Sequence, residues 1–160
     1  MEKGEHDKAI KDFDEAIRLN ARFQRAFYYR GVVWAVKGDF DKALKEYDEA
    51  IRLDPNSTLA LIDRGQVWAA KREFDKALKD LDVATRLEPR NPGAVYIRGN
   101  IWYAKNDFDK AVKDYDEAIR LYPPFADAFD NRGRAWKAKG ESEKAAKDFA
   151  EAKRLRELKK

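Results

Sequence analysis

The sequence predicts an all-α chain in which one antiparallel helix hairpin is repeated. Three observations carry that reading. First, Trp34, Trp68, Trp102 and Trp136 recur at a constant step of 34 residues, as do Gly31, Gly65, Gly99 and Gly133. Second, Ala9, Ala43, Ala77, Ala111 and Ala145 share the step, as do Ala16, Ala50, Ala84, Ala118 and Ala152, so one half of the unit is present five times and the other half four. Third, the apolar positions inside each unit follow helical spacing and are closed by glycine or proline. A catalytic motif has no reason to be written several times in one short chain. A stacking unit must be, because a single hairpin cannot bury its apolar face alone.

Residues 1–23 read as a half-repeat, a second helix with Gly4 at its turn and Ala9, Phe13 and Ala16 on its apolar face. Four full repeats follow, over 24–57, 58–91, 92–125 and 126–159. In the first of these, Phe27, Gly31 and Trp34 fall at i, i+4 and i+7, on one face of a helix that ends near Lys37-Gly38. The second helix carries Ala43, Leu44, Tyr47, Ala50 and Ile51 and stops at Asp54-Pro55, since the residue before proline is pushed out of helical geometry. Small residues let the two helices approach, and Trp34 and Tyr47 are expected to fill the space between neighbouring hairpins. In the last helix Ala146 and Lys153 replace Leu44 and Ile51, so the face that would receive another hairpin is polar, as a terminal cap requires.

The set Phe27, Gly31, Trp34, Gly38, Ala43, Tyr47, Ala50 and Pro55 resembles the tetratricopeptide repeat (TPR) family. It returns as Leu61, Gly65, Trp68, Ala77, Leu81, Ala84, Pro89 and as Val95, Gly99, Trp102, Ala111, Tyr115, Ala118, Pro123, and the resemblance covers essentially the whole chain. It implies a right-handed superhelical solenoid whose first helices line a concave groove for a protein or peptide segment. Carried over position by position, the groove is lined by Tyr28, Val32, Ile62, Asp63, Gln66, Tyr96, Asn100, Tyr103, Asp127, Asp130, Asn131 and Arg134. Carboxamides at the equivalent sites Gln66 and Asn100 can pair with a ligand peptide unit. Asp63, Asp127 and Asp130 are expected to favour a basic side chain. One branch of the family grips the tails of heat-shock chaperones with two lysines, two asparagines and an arginine. Here those places hold Tyr28, Val32, Asp63, Gly93 and Ile97, or one repeat later Ile62, Gln66, Ile97, Asp127 and Asn131, so no such tail clamp is expected.

One departure from the family pattern recurs. Where an apolar residue usually precedes the first-helix glycine, this chain has Arg30, Arg64, Arg98 and Arg132. Sixteen residues earlier stand Asp14, Asp48, Asp82 and Asp116, and the fifth copy of that site, which no arginine follows, holds Ala150. This predicts an inter-repeat ladder pairing Asp14 with Arg30, Asp48 with Arg64, Asp82 with Arg98 and Asp116 with Arg132. The competing acid row Asp12, Glu46, Asp80, Asp114 and Asp148 persists to the last helix and ranks as the weaker candidate.

Lys+Arg 34 against Asp+Glu 30 leaves a net charge of only +4, and the signs alternate within a few residues. That is a solvated helix face rather than the concentrated positive stripe nucleic acid requires, so nucleic-acid binding is not expected. Lys37, Lys71, Lys105 and Lys139 also recur, with no packing reason visible in sequence. No cysteine supplies a thiolate, the lone His6 has no recurring partner, and Ser57 and Ser142 lack a nucleophile setting; no enzyme activity, metal or cofactor is read. No apolar run approaches the roughly 20 residues of a membrane span, and the start lacks a signal peptide's hydrophobic region, so a soluble, cytoplasmic protein is expected. The function expected is a non-enzymatic interaction scaffold. The alternative is self-assembly, as a homodimer through Ala9, Phe13 and Ala16 of the half-repeat, or a bare truncated or designed scaffold.

Overall fold

A computed structural model describes residues 3–158. Among these are nine α-helices and no strand: α1 (Lys3–Leu19), α2 (Gln24–Val36), α3 (Phe40–Leu53), α4 (Thr58–Ala70), α5 (Phe74–Leu87), α6 (Pro92–Ala104), α7 (Phe108–Leu121), α8 (Ala126–Ala138) and α9 (Ser142–Glu157). They fall into two compact units, one ending at Leu87 and the other beginning at Glu88. The first holds α1 and the hairpins α2–α3 and α4–α5; the second holds the hairpins α6–α7 and α8–α9.

Each hairpin is turned by one residue in the left-handed region: Gly38 (φ 78°), Arg72 (φ 63°), Asn106 (φ 61°) and Gly140 (φ 82°). The residue after each of them donates its N–H back to the tryptophan carbonyl, as in Asp39 N to Trp34 O at 3.0 Å and Glu141 N to Trp136 O at 2.9 Å, which closes the first helix. Asp39 and Asp107 then cap the second helices by accepting from Lys42 N and Lys110 N, each at 3.2 Å. Gly4 does not make such a turn. It lies inside α1, in helical rather than left-handed backbone.

Within a hairpin the first-helix glycine seats a second-helix side chain. A Cβ added at Gly31 would lie 2.8 Å from the Tyr47 ring, at Gly99 2.9 Å from Tyr115, and at Gly133 2.8 Å from Phe149. Tyr47 and Tyr115 are in consequence almost wholly buried, and Ala43, Ala50, Ala77, Ala84, Ala111 and Ala118 are fully so. The tryptophans pack against clusters built from neighbouring hairpins, Trp34 and Trp68 around Ala43, Leu44, Tyr47 and Val67, and Trp102 and Trp136 around Ala111, Val112, Tyr115 and Ala135. Trp34, Trp68, Trp102 and Trp136 are only half-buried, and each ring is covered by a lysine of its own hairpin's second helix. Lys42, Lys76, Lys110 and Lys144 place Nζ 4.1, 4.4, 4.2 and 4.5 Å from the respective ring centroids. Such a stack joins apolar burial on one face of the ring to a cation–π contact on the other. In α9, Ala146 and Lys153 are exposed.

Candidate functional site: two polar recesses and an arginine ladder

In the first unit the residues expected to line a groove gather around Asp63. The Tyr28 hydroxyl donates to Asp63 Oδ2 at 2.8 Å, and Gln66 Nε2 donates to Asp63 Oδ1 at 3.3 Å. Beside them Val32, Val36, Tyr47 and Val67 line a recess of about 290 Å³. Burial raises the Asp63 carboxyl above the ordinary aspartate value, partly opposed by the Tyr28 hydrogen bond. Burial, and then the Asp63 charge, raise the Tyr28 hydroxyl. One expectation fails here: Ile62 is buried, at 8% exposure, and offers no contact surface. Asp63 accepts from the neutral donors Tyr28 and Gln66.

In the second unit the equivalent place is a carboxamide network. Asn100 Oδ1 accepts from the buried Tyr115 hydroxyl and from Asn131 Nδ2, both at 2.9 Å, and Asn131 Nδ2 also donates to Tyr96 Oη at 2.9 Å. These bonds do not use Asn131 Oδ1, while a further side-chain hydrogen bond joins Asn100 to the Tyr96 hydroxyl. Asn100, Asn131, Tyr103, Tyr115 and Arg134 line a recess of about 220 Å³ at this point. Burial raises the Tyr96 hydroxyl, with the Asn100 carboxamide beside it acting in the opposite direction. Tyr103 stands edge-on to Phe108 at 5.3 Å. Asp127 and Asp130 do not wait for a basic partner: Arg156 reaches Asp127 at 3.0 Å and Arg134 reaches Asp130 at 2.7 Å.

Arg30, Arg64 and Arg132 are each shared between two acids. Arg64 Nη1 meets Asp48 at 2.7 Å, while its Nε and Nη2 hold Asp80 at 2.8 and 2.6 Å. Arg132 repeats the arrangement, with Asp116 at 2.6 Å and Asp148 at 2.8 and 2.6 Å. Arg30 meets Asp14 at 2.5 Å but Glu46 only once, through Nη2 at 2.7 Å, and its Nε is buried without a partner. Arg98 holds Asp114 at 2.8 and 2.7 Å; Asp82 belongs to the other unit.

The acid row that sequence ranks as weaker therefore makes the bidentate bonds. It persists to Asp148 because its arginine comes from the preceding helix of the same hairpin, which the last hairpin also has. Burial works against the Arg64 charge, but Asp80 and then Asp48 outweigh it and hold the guanidinium above its ordinary value.

Sequence reasoning missed a second ladder. Lys37 pairs with Asp7, Lys71 with Asp41 at 2.7 Å, and Lys139 with Asp109. An aspartate standing 30 residues before each repeated lysine was the available signal. At the other end of the first unit, Ala9, Phe13 and Ala16 are only partly covered, unlike their fully buried counterparts in α3. No described helix is long and apolar enough to cross a membrane.

Eight of the nine described helices, paired into four hairpins around small-residue seats, define a helical-repeat protein. The tetratricopeptide repeat family profile matches residues 1–58, 62–126 and 105–157, and the chain belongs to that family. Among solved structures, one titled as the crystal structure of MamA is 25% identical and superposes with a TM-score of 0.90 over 98% of this chain and 92% of that one. A MamA structure from Desulfovibrio magneticus RS-1 is 22% identical, with a TM-score of 0.89 over 98% of this chain and 88% of that one. YrrB, titled as a TPR protein with an unusual peptide-binding site, is 24% identical, with a TM-score of 0.80 over 95% of this chain and 78% of that one. No curated protein sequence gives a significant match. Tetratricopeptide repeats are generally non-enzymatic scaffolds that bind protein or peptide partners.

Proposed function

We propose that this chain is a non-enzymatic scaffold that holds a peptide segment of a partner protein in its concave groove, with Asn100 and Asn131 as the polar anchor. The observation that carries this reading is the pre-positioned Asn100–Asn131 carboxamide pair, with Asn131 Oδ1 outside the network, at a recess open to solvent. A peptide N–H can donate to that oxygen. The Tyr115 and Tyr96 hydroxyls hold the two side chains in place before a ligand arrives, which lowers the ordering cost of binding. Tyr103 adds an aromatic wall for an apolar anchor. Arg156 and Arg134 neutralise Asp127 and Asp130, so the segment bound here is recognised through its backbone and an apolar side chain rather than through a lysine or arginine.

The test is selection of peptides against the full chain, followed by calorimetric titration of the parent and of Asn131→Ala. Loss of hydrogen bonds at the anchor weakens binding by roughly tenfold, with the helical circular dichroism unchanged. Tyr96→Ala combined with Asn100→Ala abolishes capture. Equal affinity for Asn131→Ala and the parent sinks this reading.

A further inference from the structure

The recess beside Asp63 in the first unit has a counterpart two repeats later in the sequence. Val32, Tyr47, Asp63 and Gln66 correspond to Asn100, Tyr115, Asn131 and Arg134, each 68 residues on, and those residues line the recess of the second unit. The tyrosine contact is kept as well: Tyr28 bonds Asp63 at 2.8 Å, as Tyr96 bonds Asn131 at 2.9 Å. What differs is charge. The second recess carries a guanidinium beside a neutral carboxamide, whereas the first carries a carboxylate beside a neutral carboxamide. The buried tyrosine lining each one responds to that sign. Burial raises both hydroxyls, and the Asp63 charge adds to the rise at Tyr47 while Arg134 acts against it at Tyr115.

Asp63 lacks a counter-ion. Its two hydrogen-bond donors, Tyr28 and Gln66, are neutral, and no cation among the described residues acts on it. A carboxylate has about four acceptor positions, so these two bonds leave capacity for more. The remaining walls are apolar, with Val32, Ala35 and Val36 from α2 and Val67 from α4, and Val36 is largely exposed. A half-buried charge among apolar walls is costly until a cation reaches it, and an alkyl stem ending in a cation meets the walls and the charge together. The cation that fits is an ammonium. Where this chain holds a guanidinium, one carboxylate gives both oxygens to Nε and Nη2, as Asp80 does for Arg64. At Asp63 each oxygen already accepts one bond, which blocks the parallel fork of an arginine but leaves room for a point charge.

We propose that the recess between α2 and α4 seats one lysine side chain of a partner's peptide segment, its four-carbon stem against Val32, Val36 and Val67 and its ammonium on Asp63. The proposal rests on the reading that the first helices hold such a segment. It gives the first unit a selectivity opposite to that of the second, whose recess already contains a cation.

The probe is the peptide acetyl-Ala-Ala-Lys-Ala-Ala-amide, titrated into the full isotope-labelled chain and followed by backbone amide shifts in NMR spectra. Saturable shifts are expected at Val36, Gln66 and Val67. Asp63→Asn keeps an acceptor for Tyr28 and the helical circular dichroism, and weakens binding by about tenfold or more, the loss expected for a charge-assisted contact. Norleucine in place of the peptide's lysine keeps the stem without the charge and binds as weakly, and arginine there binds less tightly than lysine. Asn131→Ala leaves the lysine titration unchanged, so failure of the carboxamide anchor and failure of this site are separate results. Absence of saturable shifts, equal binding by Asp63→Asn, or binding of the norleucine or arginine peptide as tight as that of the lysine peptide overturns the proposal. So does a homodimer in light scattering that Asp63→Asn dissolves, since the lysine then comes from a second copy.

Discussion

A guanidinium shared between two carboxylates is the recurring residue-scale device of this chain, and its two arms differ in environment. The Asp80 side chain is 7% exposed beside Arg64, whereas Asp48 on the opposite arm is 58% exposed. Stripping the partner from a buried charge leaves it uncompensated, but an exposed pair is screened by water. Asp80→Ala is therefore expected to lower unfolding free energy by about 3–5 kcal/mol, and Asp48→Ala by no more than about 1 kcal/mol, in urea denaturation. Equal effects would refute the asymmetry. The first repeat offers the converse experiment. Glu46 is one methylene longer than Asp80 and reaches Arg30 through a single bond, leaving Nε buried and unpaired. Glu46→Asp restores the bidentate grip of the other hairpins, with a gain of about 1 kcal/mol. That corresponds to a rise of about 3 °C in Tm by calorimetry.

Paired helices are held at their spacing by the glycine seats, and the seats are not equivalent. At Gly99 an added Cβ meets Tyr115 Cε1 at 2.9 Å and Cδ1 at 3.0 Å, a ring fixed by its hydroxyl bond to Asn100 and unable to rotate away. At Gly65 the nearest atom is Leu81 Cγ at 3.3 Å, part of a branched chain that yields by a small torsion. Helix propensity favours alanine over glycine by about 1 kcal/mol at both sites. Overpacking outweighs that gain only at the rigid ring, where it costs about 1–3 kcal/mol or more. Gly99→Ala is expected to lower Tm clearly and Gly65→Ala to leave it nearly unchanged, as thermal melts of the two variants will show.

Among the described residues many charges sit in exposed pairs, and the pH response of stability carries an exception at Asp63. Its folded-state pKa is raised by burial, so the native chain binds a proton more readily than the unfolded chain does. Stability must then fall as pH rises from the ordinary aspartate value through the raised one, and the cost persists at neutral pH. Surface acids such as Asp39 and Asp107, held down by Lys42 and Lys110, contribute with the opposite sign. Comparison with Asp63→Asn isolates the buried group. The variant keeps an acceptor for Tyr28 and is expected to be the more stable of the two at pH 7, with the difference vanishing in acid. A parent more stable than Asp63→Asn at neutral pH would show that the charge is compensated.

What the sequence determined by itself was whatever the 34-residue period repeats: the helices, their order, the glycine seats and the family. A repeated unit writes its packing rule several times, so chance coincidences cancel and the period stands out. The ion-pair arms were half legible. Asp14, Asp48 and Asp116 were found through the substitution at Ala150, but the buried partner row was misjudged, because sequence separation does not tell which side of an arginine a carboxylate lies on. Only the tertiary structure decided the sites. Ile62 and Asn131 occupy first-helix positions that sequence treats alike, yet one is buried and the other opens onto a recess. Asp12 and Asp148 share a register, yet only the second meets an arginine. Each outcome depends on which neighbouring helix covers a side chain, and coverage is set by packing in three dimensions, which the period of a single strand of sequence does not encode.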